Sequence, residues 1–426
     1  MSKYPSYDEM KDSGIEWLGE IPEHWGMVKL KYITSCLDNR RIPLNSSERS
    51  EMQGEYPYYG ANGIVDWVND FIFDEKIILL GEDGAPFKEF GKEVAFLINE
   101  KCWVNNHAHI LKADGINPIF LTYSLNCVNY NPYLSGSTRY KLTQNDMKKI
   151  NIAFPPLKEQ QAIADFLDRE TGRIEELIEK KEKLIELLEE KRQSTINQAV
   201  TKGLDSDVEM KDSGVEWLGD IPEHWSMVKL RRIISKFVDY RGRTPTKTKS
   251  GIPLITARNI NDGKLNHEIS PEYISKEDYK EWMVRGFPEV GDVLLTTEAP
   301  LGEVAQVKNP HIALAQRIIL FKSNEVYIID NYLKYHFLSR FGQSELLSNA
   351  TGSTARGIKA SRLKATRILI PSLEEQEEIA DYLDQETNRI DNLIDKTKEQ
   401  IANLKEYKQA LISNAVTGKI KVTEEL

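Results

Sequence analysis

The chain has 426 residues, with 56 basic and 66 acidic side chains and a formal net charge of −10, a length that suits two or three globular units. Hydrophobic residues at 40% and charged residues at 29% exclude a disordered chain, a collagen and a disulfide scaffold. Cys36, Cys102 and Cys127 are an odd number without framework spacing. No apolar run approaches the roughly 20 residues of a membrane span, and no signal-peptide pattern opens the chain, so a reduced, cytoplasmic protein is expected.

The first feature in chain order is a frame that recurs. MKDSGIEWLGEIPEHWGMVKL, starting at Met10, returns with three small changes as MKDSGVEWLGDIPEHWSMVKL, starting at Met210. The protein is therefore a tandem duplication. Behind the first frame, short apolar runs at 71–73, 77–80 and 94–98 are bounded by Gly, Asp, Asn and Pro and read as strands and turns. A Gly136-Ser-Thr turn follows, and then a stretch from 157 to 200 with one Gly and no Pro. Its seam of Ile174, Ile178, Lys181, Ile185, Leu188, Arg192, Thr195 and Ala199 predicts a helix of about 44 residues, roughly 66 Å long.

The second copy repeats this plan with about sixteen residues added in its middle. Runs at 293–297 and 318–321 read as strands and 328–347 as helix. A Gly352-Ser-Thr turn precedes a second long helix with the seam Ile390, Ile394, Thr397, Ile401, Leu404, Lys408, Leu411 and Ala415. A helix this long cannot hide its stripe in a small domain, so the two are expected to pair as a modest coiled coil, interrupted by Lys181, Arg192 and Lys408. The fold class is α+β: globular domains at 1–155 and 206–370, and long helices within 156–205 and 371–426, related by a pseudo-twofold.

The two interiors differ more than the frames do, which is what one task performed on two targets requires. Residues 1–155 sum to −5 and residues 206–370 to +4. Segment 229–264 holds ten Lys or Arg against two acids, and 356–367 adds five more with none. Local patches of this kind steer phosphate binding, because screening confines each charge to about 8–10 Å. The residue types that read base edges are Arg for guanine and Asn or Gln for adenine. In the first half the candidates for DNA contact are Tyr58, Tyr59, Asn62, Asn105, Asn106 and His107, with Ser137, Thr138, Arg139 and Lys141 around the Gly-Ser-Thr turn. In the second half they are Arg241, Arg243, Thr244, Lys247, Arg258, Asn259, Gln316 and Arg317, with Ser353, Thr354, Arg356, Lys359 and Arg362 around the matching turn. Aligning WVNNHAHIL with IALAQRIIL sets Asn106–His107 opposite Ala315–Gln316, within a residue or so.

Catalytic patterns do not emerge. There is no GxxxxGK[ST] phosphate loop and no GxGxxG after a strand. Asn131-Pro-Tyr lacks one proline of an amino-methyltransferase segment and reads as a turn. Glu189-Glu-Lys lies on a charged helix face. Cys102, His107, His109 and Cys127 match no zinc spacing. The repeated His24-Trp25 and His224-Trp225, beside Glu23 and Glu223, read as scaffold packing or a docking surface. No catalytic residue, no metal and no cofactor is assigned to this chain.

The duplicated KDSGIEWLGEIPEHW frame, together with PPLKEQQAIADFLD at Pro155 and PSLEEQEEIADYLD at Pro371, resembles the specificity subunit of type I restriction–modification enzymes over essentially the whole chain. The resemblance implies two target-recognition domains that read the parts of a split double-stranded DNA sequence, with two antiparallel helices as spacer. It implies docking of two methyltransferase (M) subunits that use S-adenosylmethionine to modify adenine N6. Restriction/translocase (R) subunits, motor–nucleases using ATP and Mg, would join them; no membrane is involved. The competing expectations are a protein-binding scaffold with two divergent recognition domains, or a self-sufficient DNA methyltransferase or nuclease.

Overall fold

A computed structural model of the chain describes residues 4–89, 91–136, 139–242, 244–352 and 356–422. Two compact units are present: unit 1 comprises Met1–Glu182 with Lys398–Leu426, and unit 2 comprises Lys183–Thr397. Each unit is thus closed by the far end of the long helix belonging to the other repeat.

In unit 1, β1 (Thr34–Cys36), β2 (Ile77–Gly81), β3 (Ala95–Ile98) and β4 (Ala108–Ala113) form an antiparallel sheet ordered β1-β4-β2-β3. The central strand β2 is an unbroken apolar run because both its faces are covered: Ile78 and Leu80 pack into the main core, Ile77 and Leu79 into a second one. In unit 2, β5 (Ile234–Asp239), β6 (Val293–Thr297), β7 (Leu301–Gln306) and β8 (Ile318–Ser323) repeat the order β5-β8-β6-β7. Each unit adds a smaller sheet with one parallel pairing, Tyr58 beside Trp103 in one and Leu254 beside Ala313 in the other.

Two expected elements differ. Segment 71–73 is not a strand: Phe71 N–H is taken by the Asp70 carboxylate, and only Phe73 bridges to Cys102. The helix expected over 328–347 is two helices, Asp330–Leu338 and Arg340–Ser348. Ser339 separates them because its hydroxyl accepts the N–H of Gly342 and caps the second.

The long helices are α1 (Leu157–Lys202) and α2 (Leu373–Val416). They pair antiparallel: Glu175 meets Lys408 at 2.5 Å and Lys181 meets Gln400 at 2.6 Å in unit 1, while Arg192 meets Asp391 at 3.0 Å in unit 2. The seam positions are buried or half-buried and most of their flanking residues exposed, as a 3.5-residue stripe requires. Among the described residues no helix is long and apolar enough to cross a membrane.

The recurrent motif at each helix start explains its own sequence. Glu159, in the first turn of α1, accepts from Trp25 Nε1 at 2.9 Å and contacts His24 Nε2 at 2.7 Å; Glu375 does the same for Trp225 and His224, at 2.9 Å each. The neighbouring Gln160 is fully buried, accepting from Asn117 N–H at 2.8 Å and donating to Pro155 O at 2.8 Å. Gln376 repeats this with Ile329 N–H and Pro371 O. At the other end of α2, Gly418 (φ +70°) leaves no room for a Cβ against Pro22. Lys421 N–H then bonds Pro5 O at 2.7 Å, joining the two terminal segments of unit 1.

Candidate nucleic-acid interface

In unit 1 three loops meet at the end of the β2–β4 pair. Glu82 N–H donates to His107 O at 2.8 Å, and Leu142 N–H donates to Glu82 O at 2.8 Å. Asp83 bridges to Lys141 along the backbone. Its carboxylate lies 2.6 Å from Arg139 Nε and 3.6 Å from His107 Nδ1, while Lys141 stands 3.2 Å from Glu82. Asn62, on the turn of the smaller sheet, donates to Gly84 O at 3.3 Å. The fold therefore gathers Asn62, Asn106, His107, Arg139 and Lys141, which are exposed or half-exposed.

Unit 2 builds the same end from different side chains. Thr297 N–H donates to Arg317 O at 2.9 Å, Ile358 N–H donates to Thr297 O at 3.0 Å, and Glu298 bridges to Gly357. Arg317 Nε lies 2.9 Å from Glu298. The matching ladders equate Glu298 with Asp83, Arg317 with His107 and Gln316 with Asn106, one residue along from the sequence alignment. Gln316, Arg317, Arg356 and Lys359 come together here. Lys247 lies on the smaller sheet, paired with Glu272 at 2.7 Å. Thr244 precedes that strand, Arg258 sits on the turn Ala257–Asn259 and Arg362 on the short helix Ala360–Leu363, all exposed. Ser137, Thr138, Arg243, Ser353 and Thr354 lie outside the described residues.

Five candidates are scaffold residues instead, because they are buried or half-buried and hydrogen-bonded within the protein. The Tyr58 hydroxyl is buried between the N–H and C=O of Leu44, and the Tyr59 hydroxyl donates to Glu100 at 2.9 Å. Buried Asn105 accepts from His107 N–H and shapes its turn. Asn259 is fully buried, accepting from Thr256 and donating to the carbonyls of Asn266, His267 and Ser270. Arg241 directs Nε and one terminal nitrogen to Asp239 (2.9 and 2.6 Å) and the other to Ile358 O (2.9 Å).

Sequence reasoning missed Asp38, Arg41 and the role of His109. His109 is buried, with Nδ1 2.7 Å from Asp38 and Nε2 2.9 Å from Leu142 O; Arg41 lies 2.7 Å from Glu82. Burial alone would raise the Asp38 pKa, but hydrogen bonds from His109 and Ile110 N–H, with the charges of His109 and Arg41, hold it near 2. The one available signal was a polar His among the apolar residues that open strand β4.

Cys102, His107, His109 and Cys127 do not assemble; burial pushes the thiols of Cys102 and Cys127 up to about 12. Among the described residues, Asp38, Glu82 and His109 are the group with ligand-like spacing. Arg41 and Lys141 already neutralise its carboxylates, so the site is an ion-pair network.

Known proteins share this architecture. The family model described as type I restriction modification DNA specificity domain matches residues 22–187 and again 222–403. A putative type I restriction enzyme specificity subunit of Haemophilus influenzae is 28% identical, covering 90% of this chain and 94% of that protein. The EcoBI specificity subunit of Escherichia coli is 26% identical, covering 99% and 91%. A chain from a structure of the type I R-M system aligns with a TM-score of 0.67 at 17% identity, over 93% of this chain and 98% of that one. The HsdS subunit from Thermoanaerobacter tengcongensis aligns at 0.52 and 17%, over 94% and 98%.

Proposed function

The chain belongs to the type I restriction–modification DNA specificity family, and we propose that its two units read the two parts of a split DNA target without catalysing a reaction themselves. The observation that carries this reading is the repeated sheet end. One backbone frame presents Asn62, Asn106, His107, Arg139 and Lys141 in unit 1, and Gln316, Arg317, Arg356 and Lys359 in unit 2. A constant frame with different hydrogen-bonding groups at equivalent positions is how one device reads two sequences. Asp83 and Glu298 orient the cations opposite them through exposed ion pairs, which are worth little and open readily to a phosphate or base edge.

The duplicated Trp–His–Glu frames give one kind of partner two equivalent seats. We assign them to two methyltransferase subunits, which bring S-adenosylmethionine and the transfer to adenine N6; restriction/translocase subunits using ATP and Mg join through these. The assembly works where the DNA is, in the cytoplasm, and α1 and α2 set the unread gap.

The test is methylation-site mapping in cells carrying the complex. Arg317→Ala should cost about 1–3 kcal/mol and relax one position in one part of the target, and His107→Ala should act on the other part alone. A methylated sequence unchanged in both variants would defeat the assignment.

A further inference from the structure

The segments leading into Gly136 and Gly352 pair with the segments that return toward the sheet, and the necks so formed are held alike. In unit 1, Leu134 and Ser135 pair with Leu142 and Lys141; in unit 2, Thr351 pairs with Gly357. A two-stranded hairpin is only marginally stable by itself, so its tip keeps one position only if the neck is fastened. The backbone supplies one fastening, from Leu142 N–H to Glu82 O and from Ile358 N–H to Thr297 O. A side chain supplies the second. His109 Nε2 donates to Leu142 O at 2.9 Å, and an Arg241 terminal nitrogen donates to Ile358 O at 2.9 Å.

These carbonyls belong to equivalent residues, yet the donors come from different places: His109 lies within β4, whereas Arg241 follows β5. Each donor is backed by an aspartate where the first strand of its sheet ends: Asp38, two residues past β1, at 2.7 Å, and Asp239, the last residue of β5, at 2.6 Å. Both ring nitrogens of His109 are held, one by the Asp38 carboxylate and one by Leu142 O, as the Arg241 guanidinium is held between Asp239 and Ile358 O. Two different residue types thus converge on one geometry.

We propose that the Asp38–His109 and Asp239–Arg241 pairs are positioning residues for target reading, each clamping the neck of the hairpin whose tip carries Arg139 or Arg356. The proposal rests on the DNA-reading function above. Arg241 touches no base; it aims those that do.

The test uses the assembled complex with Arg241→Met, which keeps length and removes the donors, and Arg241→Lys as the conservative variant. Arg241 is half-buried, so folding tolerates the change, checked by an unaltered melting temperature. Trypsin cleavage after Arg356 and Lys359 should accelerate about tenfold or more in Arg241→Met, the factor for losing a charge-assisted hydrogen bond. Methylation mapping should show relaxed selectivity in the part of the target read by unit 2 and none in the other, with Arg241→Lys closer to wild type in both readouts. His109→Arg, which transplants the unit 2 donor, should preserve reading by unit 1. An unchanged cleavage rate overturns the clamp. Faster cleavage with an unaltered target overturns the positioning role while leaving the DNA-reading function intact. A wild-type complex that marks no split target would instead defeat that function, with the cleavage rates still deciding the clamp.

Discussion

A buried polar side chain is justified only by its partners, and Gln160 and Gln376 show what their repetition is for. Each joins the helix start to the residue that precedes a short helix, Pro118–Cys127 in unit 1 and Asp330–Leu338 in unit 2, and each is fully buried. Gln160→Ala leaves a buried N–H and a carbonyl unpaired, which costs about 1–3 kcal/mol; urea denaturation should show this loss in unit 1, and Gln376→Ala the same in unit 2. His336 is the opposite case, fully enclosed among Phe337, Phe341 and Tyr332, where burial lowers its pKa from 6.5 to about 4. A depressed histidine means the unfolded chain binds the proton first, so stability falls as pH drops from about 6.5 toward 4. Nearby Asp330 is raised to about 6, chiefly by burial, so its contribution is lost as pH rises through the same window. The two slopes oppose each other. Denaturation of His336→Phe across this range should show the acid loss reduced or reversed relative to wild type.

At the scale of elements, the helix pair distinguishes charges by their surroundings. Arg192, a buried seam residue, pairs with Asp262 at 2.8 Å and Asp391 at 3.0 Å, and Asp391 also holds Lys264 at 2.6 Å. The break that Arg192 makes in the apolar seam thus ties the turn at Asp262 to both helices of unit 2. Arg192→Ala removes a buried guanidinium and its charge-assisted contacts, although Asp391 keeps Lys264 and Asp262 is exposed to water, and should destabilise unit 2 by about 1.5–3 kcal/mol. Lys180 and Glu176, an exposed i,i+4 pair on α1, should leave the melting temperature nearly unchanged when broken by Lys180→Ala. Thermal melts of the two variants separate the cases, and equal losses would contradict the burial argument.

For the whole molecule, unit 1 is assembled from both ends of the sequence, whereas unit 2 is one continuous segment. Unit 1 is closed by Ala415, Val416, Ile420 and Val422, which pack into the same core as Trp25 and Leu30. Ending the chain at Val416 should therefore weaken the most distant part of the sequence: unit 1 loses about 2–5 kcal/mol while unit 2 keeps its transition, as calorimetry would show. A second expectation concerns the helices, each of which starts in one unit and ends in the other. A heptad inserted into α1 between Ile174 and Leu188, matched by one in the facing stretch of α2, adds about 10 Å, or about three base pairs. Mapped methylation sites should keep both read sequences and widen the gap.

What the sequence determined by itself is whatever is encoded locally or by repetition. The tandem frame, the two long helices with their seams, and strands β2, β3, β6 and β8 all announce themselves through identity or periodicity over a few neighbouring residues. The candidate site was legible in part: Asn106, His107, Arg139, Gln316, Arg317 and Arg356 were singled out as residue types able to contact DNA, and the fold brings them together within their respective units. Only the tertiary structure decided which candidates still have atoms to offer. Tyr58, Asn259 and Arg241 look like readers in one dimension, yet they are committed to Leu44, to the carbonyls of 266–270, and to Asp239 with Ile358. Helical and strand preferences are set by near neighbours along the chain, whereas the availability of a hydrogen-bonding group depends on partners that folding brings from far away.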